Sequence, residues 1–282
     1  MDCVDGLLNW MKIRYSEIAP QISAINQAIW TYAEPSGEEY RSARLLEQTL
    51  RDNGFTVTVG VCGHPTAFVA DYGTGKPVVA FLGEYDALPG LSQAAGVPAP
   101  TPLPGGGCGH GCGHCALGSG SLAAALLAHQ YLEEKGLPGT VRYYGCCSEE
   151  TDGVKPYMAR AGLFNDVDCV FAWHPGGETG VPNVALAAME SFQVIFTQDS
   201  EDRADRTLEA CELTNVAVNY LREHVPSGVR MHYAYLDAGR PAAEKGRFQN
   251  SLAYTVRAPR ARAVEEAAQR VRACARGAAK MT

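Results

Sequence analysis

The sequence predicts an α/β fold with a mostly parallel sheet flanked by helices, followed by a smaller, incomplete ferredoxin-like unit of order βαββα. Three observations carry this expectation. From about residue 55 to 175, strand-like and helix-like hydrophobic periods alternate, the pattern of a parallel sheet with crossover helices. Near Ala188 the order changes to strand, helix, strand, strand, helix. Carboxylates and histidines lie just past the predicted strands, where open α/β sheets collect their ligands.

Residues from about 4 to 33 carry an amphipathic helical period, as one helix or two. Ser36 followed by Glu39 resembles a capping box, which would open a helix through S-A-R-L-L-E-Q-T-L to Gly54. F-T-V-T-V, T-A-F-V-A-D-Y and P-V-V-A-F-L-G-E-Y then read as strands, the last two joined by a G-T-G-K turn that suits a hairpin. A Pro/Gly/Ala-rich loop from about Leu88 to Gly107 is long enough to suggest a functional role. Beyond it come a helix from about Cys112 to Lys135, strand T-V-R-Y-Y-G-C, a helix near Val154 to Arg160 and strand D-C-V-F-A-W. The second unit reads as strand E-S-F-Q-V-I-F, helix Asp205 to His224, strands V-R-M-H-Y-A-Y-L-D and S-L-A-Y-T-V-R-A, and helix Ala261 to Arg276. That is one strand short of a split βαβ. The expected domains are therefore 1–187 and 188–282.

Composition excludes some classes of function. The 282 residues carry 24 Lys and Arg against 31 Asp and Glu, a net charge of −7 with no basic cluster, so neither nucleic acid nor an anionic membrane is an expected partner. Charged residues interrupt the first thirty positions, and no apolar run reaches spanning length. The expected compartment is the cytoplasm, where most of the ten cysteines would be reduced, buried thiols.

The chemistry sits in G-H-G-C-G-H-C, G-C-C-S-E-E and W-H-P, in that order. Cys112, His114, Glu150 and His174 are candidate metal ligands, and the carboxylate beside them, Glu149, is left to handle protons as a general base. Thiolate, imidazole and carboxylate suit a divalent ion, zinc first because of the cysteine, with manganese or cobalt compatible with a mixed N/O set. Two other readings use parts of the same run. Gly105 to Gly111 before a helix resembles a phosphate cradle but lacks the G-K-[ST] ending. Cys108, Cys112 and Cys115 match the C-x3-C-x2-C spacing of iron–sulfur radical enzymes, a remote alternative that leaves Glu149, Glu150 and His174 without a task.

E-Y-D-A-L-P, G-H-G-C-G-H, G-T-V-R-Y-Y-G-C with E-E, V-D with W-H-P, and N-Y-L-R-E-H-V-P, taken in order, resemble the aminoacylase/carboxypeptidase family of dinuclear metallopeptidases (peptidase family M20), in its p-aminobenzoyl-glutamate hydrolase-like branch. The resemblance spans most of residues 1–259. It implies a catalytic α/β domain into which a lid domain is inserted, and cleavage of the amide bond of N-acyl amino acids or dipeptides. It also implies metal ligation by Cys112 (bridging or terminal), His114, Glu150 and His174, with Glu149 as general base and Asp86 orienting the site. A homodimer or a hetero-subunit contact through the lid is the implied assembly.

Two departures qualify that picture. The family's lid carries a G-x-x-A-H segment whose histidine stabilises the oxyanion, and here F-T-Q-D-S-E-D-R stands in its place. The family's last metal-binding histidine follows the lid, whereas this sequence ends within it, and R-P-A-A-E-K-G-R-F-Q-N replaces the usual substrate-contacting stretch. The chain alone is accordingly expected to bind metal weakly and to hydrolyse amides slowly, or to serve as an inactive binding protein or partner subunit. Other residues have plainer expectations: Cys146 and Cys147 as buried fillers, His129 and His224 on helix surfaces, His64 and His232 without partners, and His110 as either outer support for the metal or a loop residue.

Overall fold

A computed structural model describes residues 3–181, 184–199, 205–238 and 247–282. The chain divides into two compact units, Met1–Thr179 and Gly180–Thr282. In the first, helices α1 (Cys3–Tyr32) and α2 (Tyr40–Asp52) precede strands β1 (Thr56–Val59), β2 (Phe68–Thr74) and β3 (Val78–Glu84). Helix α3 (His114–Lys135), β4 (Gly139–Cys146), α4 (Val154–Arg160) and β5 (Cys169–Phe171) complete it. The five strands lie in the order β1-β2-β4-β3-β5. The expected α/β class holds, and the sheet is mixed: β4, β3 and β5 are parallel, while β1–β2 and β2–β4 are antiparallel.

The expected hairpin between β2 and β3 does not form, because β4 lies between them and pairs with both. G-T-G-K therefore turns the chain over the end of β4, where a side chain on Gly73 would sit 2.4 Å from the Gly139 carbonyl oxygen. β3 carries apolar residues on both faces, which suits an interior parallel strand better than the arm of a hairpin.

The capping-box expectation also fails. α2 starts at Tyr40 without a side-chain cap, and Glu34 instead accepts from the amides of Arg41 and Ser42, both at 2.9 Å. Ser36 and Glu39 turn inward. α2 still buries Ala43, Leu46 and Leu50, an i, i+3, i+7 stripe, and Gly54 (φ +83°) closes it in the left-handed conformation that glycine tolerates. α1 is one helix, packed on α2 and α3. α3 is apolar on most of its circumference because it lies between α1 and the sheet, with Leu117, Leu122 and Leu126 buried. His129, expected on its surface, is buried between the rings of Phe55 and Tyr72. Cys146 and Cys147 are buried as expected.

The second unit has β6 (Ala188–Asp199), α5 (Arg206–Leu221), β7 (Arg230–Asp237), β8 (Arg247–Ala258) and α6 (Ala261–Met281), the expected βαββα order. Its antiparallel sheet runs β6-β8-β7. Alternate residues Leu252, Tyr254 and Val256 of β8 face a core shared with α5 and α6. Asp205 caps α5 by accepting from the amides of Thr207 and Leu208. Residues 200–204 and 239–246, which include parts of the two departing lid stretches, lie outside the described residues.

Gly118 shows how closely α3 sits on β3, since a methyl there would lie 2.6 Å from the Glu84 carbonyl oxygen. Gly118→Ala gains about 1 kcal/mol of helix propensity, but the overlap with backbone is expected to outweigh it and give a net loss of about 1–3 kcal/mol. A denaturant midpoint at or above that of the parent chain would contradict this packing.

Candidate metal centre

Parallel register explains why distant residues meet. Glu84 at the end of β3 pairs with Cys146 at the end of β4, and Phe81 pairs with Phe171 of β5, so three strand ends open onto one edge. In the β3-α3-β4 crossover the helix returns antiparallel to the strands, which puts its first residue, His114, at that edge. The chain leaving β3 stays extended: Glu84 and Asp86 lie on one side and Tyr85 on the other, its hydroxyl donating to the Thr66 carbonyl at 2.6 Å. On the far side Gly113 (φ +80°) touches Pro175, so closely that a methyl on it would come within 2.9 Å of the ring, and this brings Cys112 and His114 against His174.

His114 is fully buried, and Asp86 Oδ1 lies 2.8 Å from its Nδ1. Asp86 Oδ2 accepts from the Glu150 amide at 2.9 Å and the Ser36 hydroxyl at 2.7 Å. With Nδ1 occupied, Nε2 faces the site with no hydrogen-bond partner, although Glu84 Oε2 stands 3.1 Å away, Glu149 Oε2 3.7 Å and Glu150 Oε1 3.8 Å. Glu84 Oε2 and Glu150 Oε1 are likewise buried and unpartnered. Cys112 Sγ lies 3.2 Å from His174 Nε2, whose ring is oriented through Nδ1 by the Pro175 carbonyl at 2.9 Å.

The electrostatics ask for a cation. Burial raises the Cys112 thiol, and Glu150, Glu149 and Glu84 push it further, to about 12. Burial likewise raises Glu149, with Glu84 and Glu150 adding to it and Lys155 and His114 opposing. Burial works against a charged His114, but Asp86, Glu84 and Glu150 outweigh it and raise its pKa. For Asp86, burial is outweighed by the hydrogen bonds from His114, the Glu150 amide and Ser36, which hold the carboxyl below its usual range. Lys155, paired with Glu84, is the nearby fixed positive charge.

A divalent ion fits these residues. Cys112, His114 and His174 bring ligand atoms within 4.8 Å of one another, as do Glu84, His114 and Glu149. Metal–ligand distances of about 2.0–2.3 Å imply tetrahedral ligand separations of about 3.3–3.8 Å, close to the 3.2 and 3.8 Å seen for Cys112–His174 and His114–Glu150. Both groups depend on the one free nitrogen of His114, so they compete for one ion there. The donor set with sulfur and imidazole favours the first for zinc.

The six residues singled out in the sequence, Asp86, Cys112, His114, Glu149, Glu150 and His174, lie at this edge, although Glu150, expected as a ligand, belongs to neither group and reaches His114 Nε2 at 3.8 Å. Glu84 was missed, although its signal was present: two carboxylates spaced by two residues at a strand end must share a side. Cys115, which the iron–sulfur alternative would need as a cluster ligand, packs in the apolar core instead. His110 reaches the Ile29 carbonyl at 3.0 Å and lines the loop.

The sequence model of the M20/M25/M40 peptidase family matches residues 80–281. A subunit of the p-aminobenzoyl-glutamate hydrolase of Escherichia coli (strain K12) is 40% identical over 285 positions, covering 99% of this chain and 58% of its own length. The Xaa-Arg dipeptidase of Mus musculus is 28% identical over 287 positions, covering 95% of this chain and 62% of its own length. The chain therefore spans less than two thirds of these curated relatives. An aminobenzoyl-glutamate utilization protein from Klebsiella pneumoniae superposes with a TM-score of 0.71 at 21% identity, covering 96% of this chain and 75% of that one. A dinuclear metal-binding M20 peptidase from Bacillus subtilis superposes with a TM-score of 0.64 at 20% identity, covering 94% and 71%. At these identities the superpositions show a shared fold.

Two measurements probe the centre. A thiol whose pKa is raised to about 12 must lose its proton to ligate, so metal uptake should release protons and tighten with pH between 6.5 and 8, by about tenfold per unit for one proton; an affinity independent of pH would contradict this. Asp86→Asn removes the negative charge opposite His114 Nδ1 and turns one of the two accepting oxygens into an NH2 donor, and is expected to weaken zinc about 10–100-fold, read by competition with a chromophoric chelator, whereas unchanged affinity would separate Asp86 from the centre.

Proposed function

The chain belongs to peptidase family M20/M25/M40, and from that premise we propose that it is a metal-dependent amidohydrolase acting on small N-acyl amino acids, p-aminobenzoyl-glutamate among them, or on dipeptides. The observation that carries the reading is the buried, unpartnered His114 Nε2, facing a cysteine, a second histidine and two adjacent carboxylates.

A divalent ion, zinc in preference to manganese or cobalt, supplies Lewis acidity when bound, polarising the amide carbonyl and acidifying water. Cys112, His114, His174 and Glu150 would hold it. Asp86 accepts a hydrogen bond from Nδ1–H of His114 and so leaves the Nε2 lone pair directed inward. Glu149 acts as general base, accepting a proton from the attacking water and returning it to the leaving nitrogen. Burial and the carboxylates of Glu84 and Glu150 raise its pKa, with Lys155 and His114 opposing, which makes it a better proton acceptor than an exposed carboxylate. Lys155 also keeps the negative charge of Glu84 compensated.

The partner of this site is a small molecule. A second polypeptide contacting the lid is a further part of the proposal, supported by the name of the Escherichia coli relative, which makes it one subunit of a hydrolase. A cytoplasmic site of action completes the proposal, supported by the free thiols of the cysteines from Cys62 to Cys274. Among the described residues no helix is long and apolar enough to cross a membrane.

Glu149→Gln separates proton transfer from metal binding. Its expected effect is a loss of about 10²–10⁴-fold in turnover of p-aminobenzoyl-glutamate or of a dipeptide panel, with zinc stoichiometry unchanged. Parent-like turnover in this variant would remove Glu149 from the role of base.

A further inference from the structure

Glu39 is a carboxylate with no exposure to solvent that reaches Ser148, 109 positions away in sequence. One oxygen accepts from the Ser148 amide at 2.7 Å, and the other from the Thr66 hydroxyl at 2.9 Å. Ser148 is buried in the left-handed region, at φ +55°, a conformation that a side-chain-bearing residue holds only when its surroundings enforce it. Its carbonyl then accepts from the amides of Thr151 at 3.2 Å and Gly153 at 2.7 Å, which closes the turn carrying Glu149 and Glu150.

That turn has a second anchor, the 2.9 Å bond from the Glu150 amide to Asp86. Glu149 therefore sits between two amides, each tied to a buried carboxylate. The segment 34–39 reaches both anchors, since Ser36 donates to Asp86 while Glu39 accepts from Ser148, and the segment is itself fastened by the 2.8 Å bond from the Ala87 amide to the Glu34 carbonyl. From this geometry we infer that Glu39 is a positioning residue: with Thr66 and Ser36 it forms a clasp that sets the backbone of the Glu149–Glu150 turn, and through it the direction of both carboxylates. The inference rests on the metal-dependent reading of the site.

Cobalt(II) titration of the metal-free full chain tests it, with visible absorption reporting the ligand field and circular dichroism confirming the fold. Glu39→Gln keeps an oxygen for the Ser148 amide and should bind cobalt within about twofold of the parent, whereas Glu39→Leu should weaken binding about tenfold and shift the bands as Glu150 moves. Thr66→Val, nearly isosteric, frees one oxygen of Glu39 and should weaken binding about threefold with a smaller shift in the same direction. A merely structural role would lower melting temperatures and leave the cobalt bands where they are. A folded Thr66→Val chain with parent spectrum and affinity overturns the clasp, even if Glu39→Leu does not fold, and so does a Glu39→Gln chain as impaired as Glu39→Leu. A parent chain that takes up no cobalt would overturn the metal reading itself, and this inference with it.

Discussion

The Asp86 carboxylate is almost sealed from water and touches three separate parts of the chain: His114 at the start of α3, the Glu150 amide beyond β4, and the Ser36 hydroxyl ahead of α2. Burying an ionised carboxylate costs several kcal/mol, and hydrogen bonds to charged groups return about 1.5–3 kcal/mol each. Three such bonds offset the cost only if all three donors arrive together. The carboxylate thus couples the strand end, the helix start and the turn, and the functional edge is organised where they join. Its cost explains why the parallel register of β3 and β4 matters: a shift of one residue would point Asp86 into the core and Tyr85 into the site.

A single free nitrogen results from this arrangement. With Nδ1 of His114 engaged, Nε2 is left among carboxylates and a thiol, where Glu84 and Glu150 add to the raised pKa of Glu149 and all three add to that of Cys112. Such a cluster is unfavourable alone and favourable around a cation. Lys155 meets part of the charge through Glu84, and the remaining acids, with the thiol and two imidazoles, make a site for a divalent ion. Glu149 and Glu150, adjacent on one turn, both bring a carboxylate oxygen within 3.8 Å of His114 Nε2, and the proposed function divides proton transfer and metal binding between them.

Much of this could be read from the sequence. The βαββα order of the second unit and the strand ends followed from hydrophobic period, and motif order with the family resemblance singled out six candidate residues that share one edge, because parallel strands linked by a crossover helix must bring their carboxyl ends together. What could not be read depended on contacts distant in sequence. Ser36 and Glu39 satisfy the local pattern of a capping box, yet their partners are Asp86 and Ser148, which no local rule reveals. His129 looked like a surface residue because one helix face could not be known to meet Phe55 and Tyr72. The G-T-G-K turn has hairpin chemistry, and only the insertion of β4 between the two strands excludes the hairpin. Glu84 was legible in principle, as the partner of Asp86 on one side of an extended chain.

The donors that surround an ion at His114 decide between the two ligand groups. X-ray absorption on the zinc-loaded chain measures this directly. The predicted shell has one sulfur at about 2.3 Å and two imidazole nitrogens at about 2.0–2.1 Å, completed by carboxylate oxygen. A shell of nitrogen and oxygen alone, as Glu84, His114 and Glu149 would give, would contradict it.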